Sequence, residues 1–290
     1  MFERLQRSWE VTKTTFAVMK QDREMMLFPV LSAITSFVFI AALIGPGIYF
    51  AITGQTLNLT LVYWAILFVI YFGLAAIATF FNVATVYTAA TRMGGGEATL
   101  KDSLAFAKSR LGVIIQWALL SATVGLLLRA IEQAASKFGQ VGQLIVGILT
   151  SVIGLAWSIG TIFVIPVLVY ENTPPFTAVK KSINVLKATW GETLTKWIGI
   201  NIIQSTIYVL AAVIFLAPAL FTVFTGGATA IAITFGIAFL ITILITHLVL
   251  SVADQVFNTA LYVYATSGVV PTGYQEEQLQ NAVKNTKKNA

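Results

Sequence analysis

The sequence predicts an all-α polytopic membrane bundle of six transmembrane helices, arranged as three parallel repeats of an amphipathic helix plus a helical hairpin. Three observations predict it. Of 290 residues, 57% are hydrophobic and only 10% charged, whereas a soluble domain carries about 25% charged residues. So few charges build no water-facing surface. Six apolar runs each approach the roughly 20 residues that cross a bilayer. Sixteen of the 18 basic residues fall in the two terminal segments and on alternate connections between those runs.

The chain opens with "MFERLQRSWE", which lacks the short apolar core and small-residue cleavage site of a signal peptide. The first apolar run, Leu27–Ala51, therefore reads as a retained transmembrane helix. The others are Leu59–Tyr87, Leu111–Leu128, Leu144–Tyr170, Trp197–Phe224 and Ala228–Tyr264. The third is bracketed by Arg110 and Arg129 and contains Gln116. The sixth has 37 residues, about 55 Å of helix at 1.5 Å per residue, against a hydrocarbon core of about 30 Å. Tilt, a break or a cytoplasmic extension absorbs the excess. Extension is expected, because the second run is also long and ends on the same side.

Charge orients these runs. The N-terminal segment, the 88–110 and 171–196 connections and the C-terminal tail are basic, and the other connections hold only Arg129 and Lys137. Short Lys/Arg-rich loops stay cytoplasmic. Both termini are expected inside a multi-pass cell-membrane protein, with residues 269–290 a polar cytoplasmic tail.

Three serines reveal the repeat. Around Ser8, Ser103 and Ser182, the position three before is Leu5, Leu100 or Val179, and the position one after is Trp9, Leu104 or Ile183. Four after stands Thr12, Ala107 or Leu186; eight after, Phe16, Leu111 or Trp190. Spacings of 4, 3 and 4 make one helical stripe. Five after each serine stands a lysine away from that stripe: Lys13, Lys108 and Lys187. Each copy precedes two apolar runs, so one membrane domain, 1–268, divides into units of about 1–93, 94–173 and 174–268. Phe-Asn-x-Ala recurs at Phe81–Ala84 and Phe257–Ala260. The amphipathic helices either lie in the lipid interface or pack on the protein's own spans. On the first reading, Arg4, Arg7, Lys13, Lys108, Lys180, Lys181 and Lys187 face anionic headgroups, each contributing about 1 kcal/mol.

"FERLQRSWEVTKTTFAVMKQDREMMLFPVLS", Phe2 to Ser32, resembles the opening of a family of uncharacterised six-span membrane proteins of bacteria and archaea. "VFNTALYVYATSG", Val256 to Gly268, is similar to a motif in that family, and distantly to the membrane domain of glycerophosphoryl diester phosphodiesterases. The resemblance implies a helical membrane fold. It implies no catalysis, because the phosphodiesterase barrel has no counterpart in the sequence.

Little else carries chemistry. Without cysteine there is no disulfide, thiolate site or cysteine nucleophile, and no cofactor or metal is implied. His247, Asp254 and Asn258 share a helical face at offsets of 7 and 4, a packed polar cluster or a proton or ion relay. Asn82, Gln116, Asn201 and Gln204 lie in apolar runs, where interhelical hydrogen bonding and a polar path compete. Pro166 and Pro218 interrupt the fourth and fifth runs. "GGGEATLKDS", Gly94 to Ser103, lacks the Gly-Lys-Ser/Thr end of a phosphate loop.

Two functions are therefore carried forward. One is a non-enzymatic membrane scaffold or assembly protein whose partners are anionic lipids, other membrane proteins or further copies of itself, with no nucleic acid. The other is a transporter or channel for a small solute or lipid.

Overall fold

The computed structural model describes residues 12–20, 22–52, 60–276 and 279, with side chains for all of these except 23, 46–52, 60–62 and 190–202. The described residues are 89% helical and contain no strand. Helix α1 covers residues 12–20. After a 3₁₀ turn at Arg23–Met26 come α2 (Leu27–Ile52), α3 (Thr60–Met93), α4 (Leu100–Ser109), α5 (Leu111–Ala135), α6 (Gly139–Gly160) and α7 (Val164–Glu171). Then follow α8 (Pro175–Ala211), α9 (Ala217–Phe224) and α10 (Thr229–Ser267). Five stretches are long and apolar enough to cross a membrane: Glu24–Gly45, Tyr63–Met93, Leu111–Glu171, Ile203–Phe224 and Thr229–Ser267. The protein is a membrane-embedded all-α helical bundle.

The breaks follow from residue chemistry. Proline lacks an amide hydrogen and its ring collides with the carbonyl four residues earlier. Pro166 thereby disrupts the helix at Ile162, and α6 stops at Gly160 before α7 restarts at Val164. Pro218 acts on Ile214, within a π turn over Ala212–Leu216. Asn172, in the left-handed region at φ 49°, ends α7, and Pro175 opens α8 at a position where its missing amide costs nothing. The apolar run at Trp197 is not a separate helix, because α8 begins 22 residues earlier and runs unbroken into it. Similarly α10 is a single helix of 39 residues, so no break relieves the length of the sixth run.

Helical contacts divide the chain into two units. The first is Leu27–Lys187. Here α2 packs along α3, α3 along α5, and α4 and α7 against the end of α3. The 61-residue apolar stretch Leu111–Glu171 folds back on itself at the 3₁₀ turn Ser136–Phe138. Across that hairpin Trp117 stacks on Trp157 at 5.8 Å and Thr150 bonds Glu132, an antiparallel pairing. Gly73 makes the notch in which the Phe39 ring sits, and a Cβ there would collide with it. Small residues of this kind let membrane helices approach closely.

The buried core of this unit lies at one end. It comprises Phe28 at the start of α2, Val83, Ala84 and Val86 late in α3, Ala107 of α4, Ile114 in the first turn of α5, and Val169 of α7. The same end carries Arg92, Lys101, Lys108 and Arg110. Toward the other end the helices show apolar side chains outward, among them Phe37, Val38, Val141 and Leu144. Burying apolar surface is favourable where the alternative is water, but lipid tails are as apolar as leucine. A dense apolar core therefore belongs at the membrane boundary, and bare helix walls belong in the hydrocarbon.

The second unit joins the described parts of Met1–Met26 and Ala188–Ala290. Its core includes Val18 and Met19 of α1, and Val256, Phe257, Ala260 and Leu261 of α10. The N-terminal half of α10 exposes Ile233, Leu240, Ile241 and Leu244. After α10 the chain turns at Pro271, where the Tyr274 amide donates to the Pro271 carbonyl at 3.1 Å. Gly273 takes φ +95° in this turn and lies against Val18, so a side chain there is excluded by backbone and by space. Tyr274 is thereby buried, its hydroxyl 3.0 Å from that of Thr15 and its ring edge-on to Phe257. Burial pushes the Tyr274 phenol well above its ordinary value, and the Thr15 hydrogen bond offsets this in part. The first residues of the polar tail thus pack on α1 and α10.

Candidate functional site

The basic end of the Leu27–Lys187 unit is built from two serines of the sequence repeat. Ser103 of α4 and Ser182 of α8 are both wholly buried. Ser103 shares a 2.6 Å hydrogen bond with Thr88 of α3, which itself donates to the Ala84 carbonyl at 3.0 Å. Ser182 donates to the Gly160 carbonyl at 2.7 Å and accepts from the Phe163 amide at 3.1 Å. It satisfies two backbone groups released by the helix break before Pro166. Each serine therefore ties an amphipathic segment to the end of the preceding apolar helix. Four residues on, Ala107 and Leu186 are buried, and five residues on, Lys108 and Lys187 are exposed. In the second unit Thr12 is buried and Lys13 exposed in the same register. Ser8, Arg4 and Arg7 lie outside the described residues.

Local chemistry holds α4 in place. Thr99 and Asp102 form a reciprocal capping box at its N-terminus, and the Thr99 hydrogen bonds hold the exposed Asp102 carboxyl below its ordinary value. Between α4 and α5, Arg110 donates to the Val169 carbonyl at 3.3 Å, near the negative end of the α7 dipole. Its guanidinium also lies 5.0 Å from the centre of the Phe106 ring, which stacks on Tyr87 at 4.2 Å. Lys181 is ion-paired with Glu171, whereas Lys180 joins Lys108 and Lys187 at the exposed surface. Sequence reasoning assigned Lys108, Lys180, Lys181 and Lys187 alike; it lacked the Glu171 partner that engages Lys181.

The second unit contains an apolar groove of ≈ 340 Å³. Thr12, Lys13 and Phe16 of α1 form one wall, Ile203 and Ile207 of α8 another, and Ile245, Thr246, Val249 and Leu250 of α10 the third. Exposed Lys13 is its single charged lining residue. Apolar walls with a cation suit an acyl chain and its anionic headgroup.

The remaining polar candidates do not form one centre. The Asn258 amide donates to the Asp254 carboxylate at 2.9 Å, one turn apart on α10, and Asn258 is buried. His247 is exposed on the same helix and makes no hydrogen bond to any described residue. The Gln204 amide donates to the Tyr208 hydroxyl at 2.7 Å. Gln116 is exposed, Asn82 half-buried, and the Asn201 side chain lies outside the described set. Hydroxyls in the apolar helices mostly turn back on their own backbone, as Thr123 does to the Leu119 carbonyl and Thr242 to that of Ala238. No group of three or more His, Cys, Asp or Glu residues placed to hold a metal ion occurs among the described residues.

No curated protein matches the chain. The stretch that matches a known family begins after the Phe2–Ser32 opening and includes the Val256–Gly268 segment; nothing in it ties the chain to glycerophosphoryl diester phosphodiesterases. Residues 61–272 match DUF6159, a family of unknown function, and the protein belongs to that family.

Proposed function

We propose that the protein is a non-enzymatic membrane scaffold or assembly protein, acting through anionic lipids and membrane partners at its basic end. The observation that carries this reading is the shared register of the three repeat segments: the fourth residue after each serine is buried while the fifth, Lys13, Lys108 or Lys187, is exposed. Buried serines hold the second and third segments on their spans, so their lysines stand at fixed positions on a rigid support. The groove beside Lys13 adds room for an acyl chain. On this reading Leu111–Glu171 crosses twice, the six crossings form three parallel units, and both termini are cytoplasmic by the positive-inside rule.

The broken fourth run and the π turn favour a second reading, transport, because transporters use broken helices to offer backbone groups to solutes. Ser182 already occupies the Gly160 carbonyl and the Phe163 amide, which weighs against it. Replacing Lys13, Lys108 and Lys187 together with glutamine distinguishes the two. The scaffold reading expects loss of co-purifying anionic lipid or of higher assembly, from about 3 kcal/mol of lost attraction. Unchanged lipid and assembly, with solute flux in liposomes that His247→Ala abolishes, would replace it by transport.

A further inference from the structure

At the end of the Leu27–Lys187 unit opposite Arg92, Lys101, Lys108 and Arg110, α3 and α5 line an open cleft of ≈ 420 Å³. This lies within the range of small-molecule sites, about 300–1,000 Å³. Tyr63, Leu67 and Tyr71 follow one another at intervals of four along α3. Arg129 and Glu132 face them from the last turns of α5, with Leu128 beside them. The cleft runs inward for about 12 Å, two helical turns from Tyr63 to Tyr71. Tyrosine at its mouth suits the boundary between headgroups and hydrocarbon.

The two charges are held differently. One Glu132 oxygen accepts from the Thr150 hydroxyl at 3.0 Å, a donor that also lies 3.2 Å from the Gly147 carbonyl, and Thr150, on α6, is only 3% exposed. The other oxygen faces Arg129 at 3.5 Å. The carboxylate is thus fixed from a neighbouring helix. Arg129 has five donors, of which this long contact engages one among the described residues. Both side chains remain substantially exposed, 53% and 41%. Ionisable groups in an apolar helical stretch are costly and mark functional positions. A fixed negative group beside an open guanidinium complements a ligand bearing both charges in reverse order. A purely anionic headgroup would meet Glu132, and a purely cationic one would meet Arg129.

We propose that this cleft binds the headgroup of a zwitterionic phospholipid, its phosphate on Arg129 and its ammonium on Glu132, with the first acyl carbons against Leu67 and Leu128. Guanidinium–phosphate hydrogen bonds are among the strong charge-assisted ones, and the tyrosine rings add favourable faces for an ammonium. The site is separate from the basic end, and it rests on membrane embedding rather than on the scaffold reading.

The test presents the detergent-solubilised full chain with equal amounts of phosphatidylethanolamine and phosphatidylglycerol, and counts bound lipids by native mass spectrometry. Phosphatidylethanolamine is expected to be enriched about tenfold, the worth of one charge-assisted hydrogen bond. Arg129→Gln and Glu132→Gln are each expected to abolish the enrichment, and the triple lysine variant to retain it. Free glycerophosphoethanolamine, which lacks acyl chains, is expected not to displace the lipid. Equal retention of the two lipids by the wild-type protein, a comparison that needs no variant, would overturn the proposal. So would enrichment that survives both substitutions, or displacement by the free headgroup, which would assign the cleft to a soluble zwitterion.

Discussion

The Ser182 hydroxyl donates to the carbonyl of Gly160 at 2.7 Å, across 22 residues of sequence, and accepts from the Phe163 amide. A side chain thus replaces the backbone bonds that the break before Pro166 removes. Ser103 occupies the corresponding repeat position but bonds Thr88, which keeps a second partner at the Ala84 carbonyl, and the Thr99 carbonyl, which the Ser103 amide also serves.

That difference sets the order of two substitutions. Ser182→Ala leaves two buried backbone groups unsatisfied and is expected to cost about 2 kcal/mol of stability. Ser103→Ala leaves Thr88 satisfied and is expected to cost about 1 kcal/mol. Denaturant titration of the purified protein in detergent measures both, with exposed Asn184→Ala as the neutral reference. Equal costs, or none for Ser182→Ala, would contradict the assignment.

Gly73 and Phe39 give a reciprocal test of how α2 meets α3. Gly73→Leu places a side chain where the Phe39 ring stands and is expected to cost about 1–3 kcal/mol by overpacking. Phe39→Ala opens that space. In a double-mutant cycle the pair is expected to be less destabilised than the sum of the single changes; simple additivity would show that the two residues do not share the notch.

Tyr274 links stability to alkaline pH. Its folded phenol titrates above the usual value of about 10. The stability from keeping it neutral is therefore fully present below the unfolded value and is lost as pH rises toward the folded one. Tyr274→Phe is expected to remove this alkaline loss while costing about 1 kcal/mol at neutral pH through the broken Thr15 bond. Unfolding curves measured from neutral to strongly alkaline pH check both. An alkaline loss that persists unchanged in Tyr274→Phe would refute the link.

Legibility followed locality. Apolar length located the helices well: the run Leu27–Ala51 corresponds to α2, Leu27–Ile52. It misjudged α5, which continues past Arg129 to Ala135, because an Arg–Glu pair at a helix end does not stop a helix. It began the fifth run at Trp197, although nothing from Pro175 onward breaks α8. Both prolines marked irregular backbone, displaced upstream because the affected carbonyl lies four residues earlier. The repeat register was legible as a pattern, but the partners of Ser103 and Ser182 come from other helices and were not. Nor was the cleft between Tyr63 and Glu132, since no local pattern reveals which face of α3 meets α5. Tyr274 sits in a polar stretch that reads as tail, and only its turn at Gly273 brings it back to Thr15.

The most direct test of the scaffold reading is the native mass of the protein extracted together with its surrounding lipid. The account predicts a large assembly, carrying anionic lipid or a membrane partner, that dissociates when Lys13, Lys108 and Lys187 are neutralised. A single chain or small oligomer holding a discrete solute, indifferent to those lysines, would contradict it.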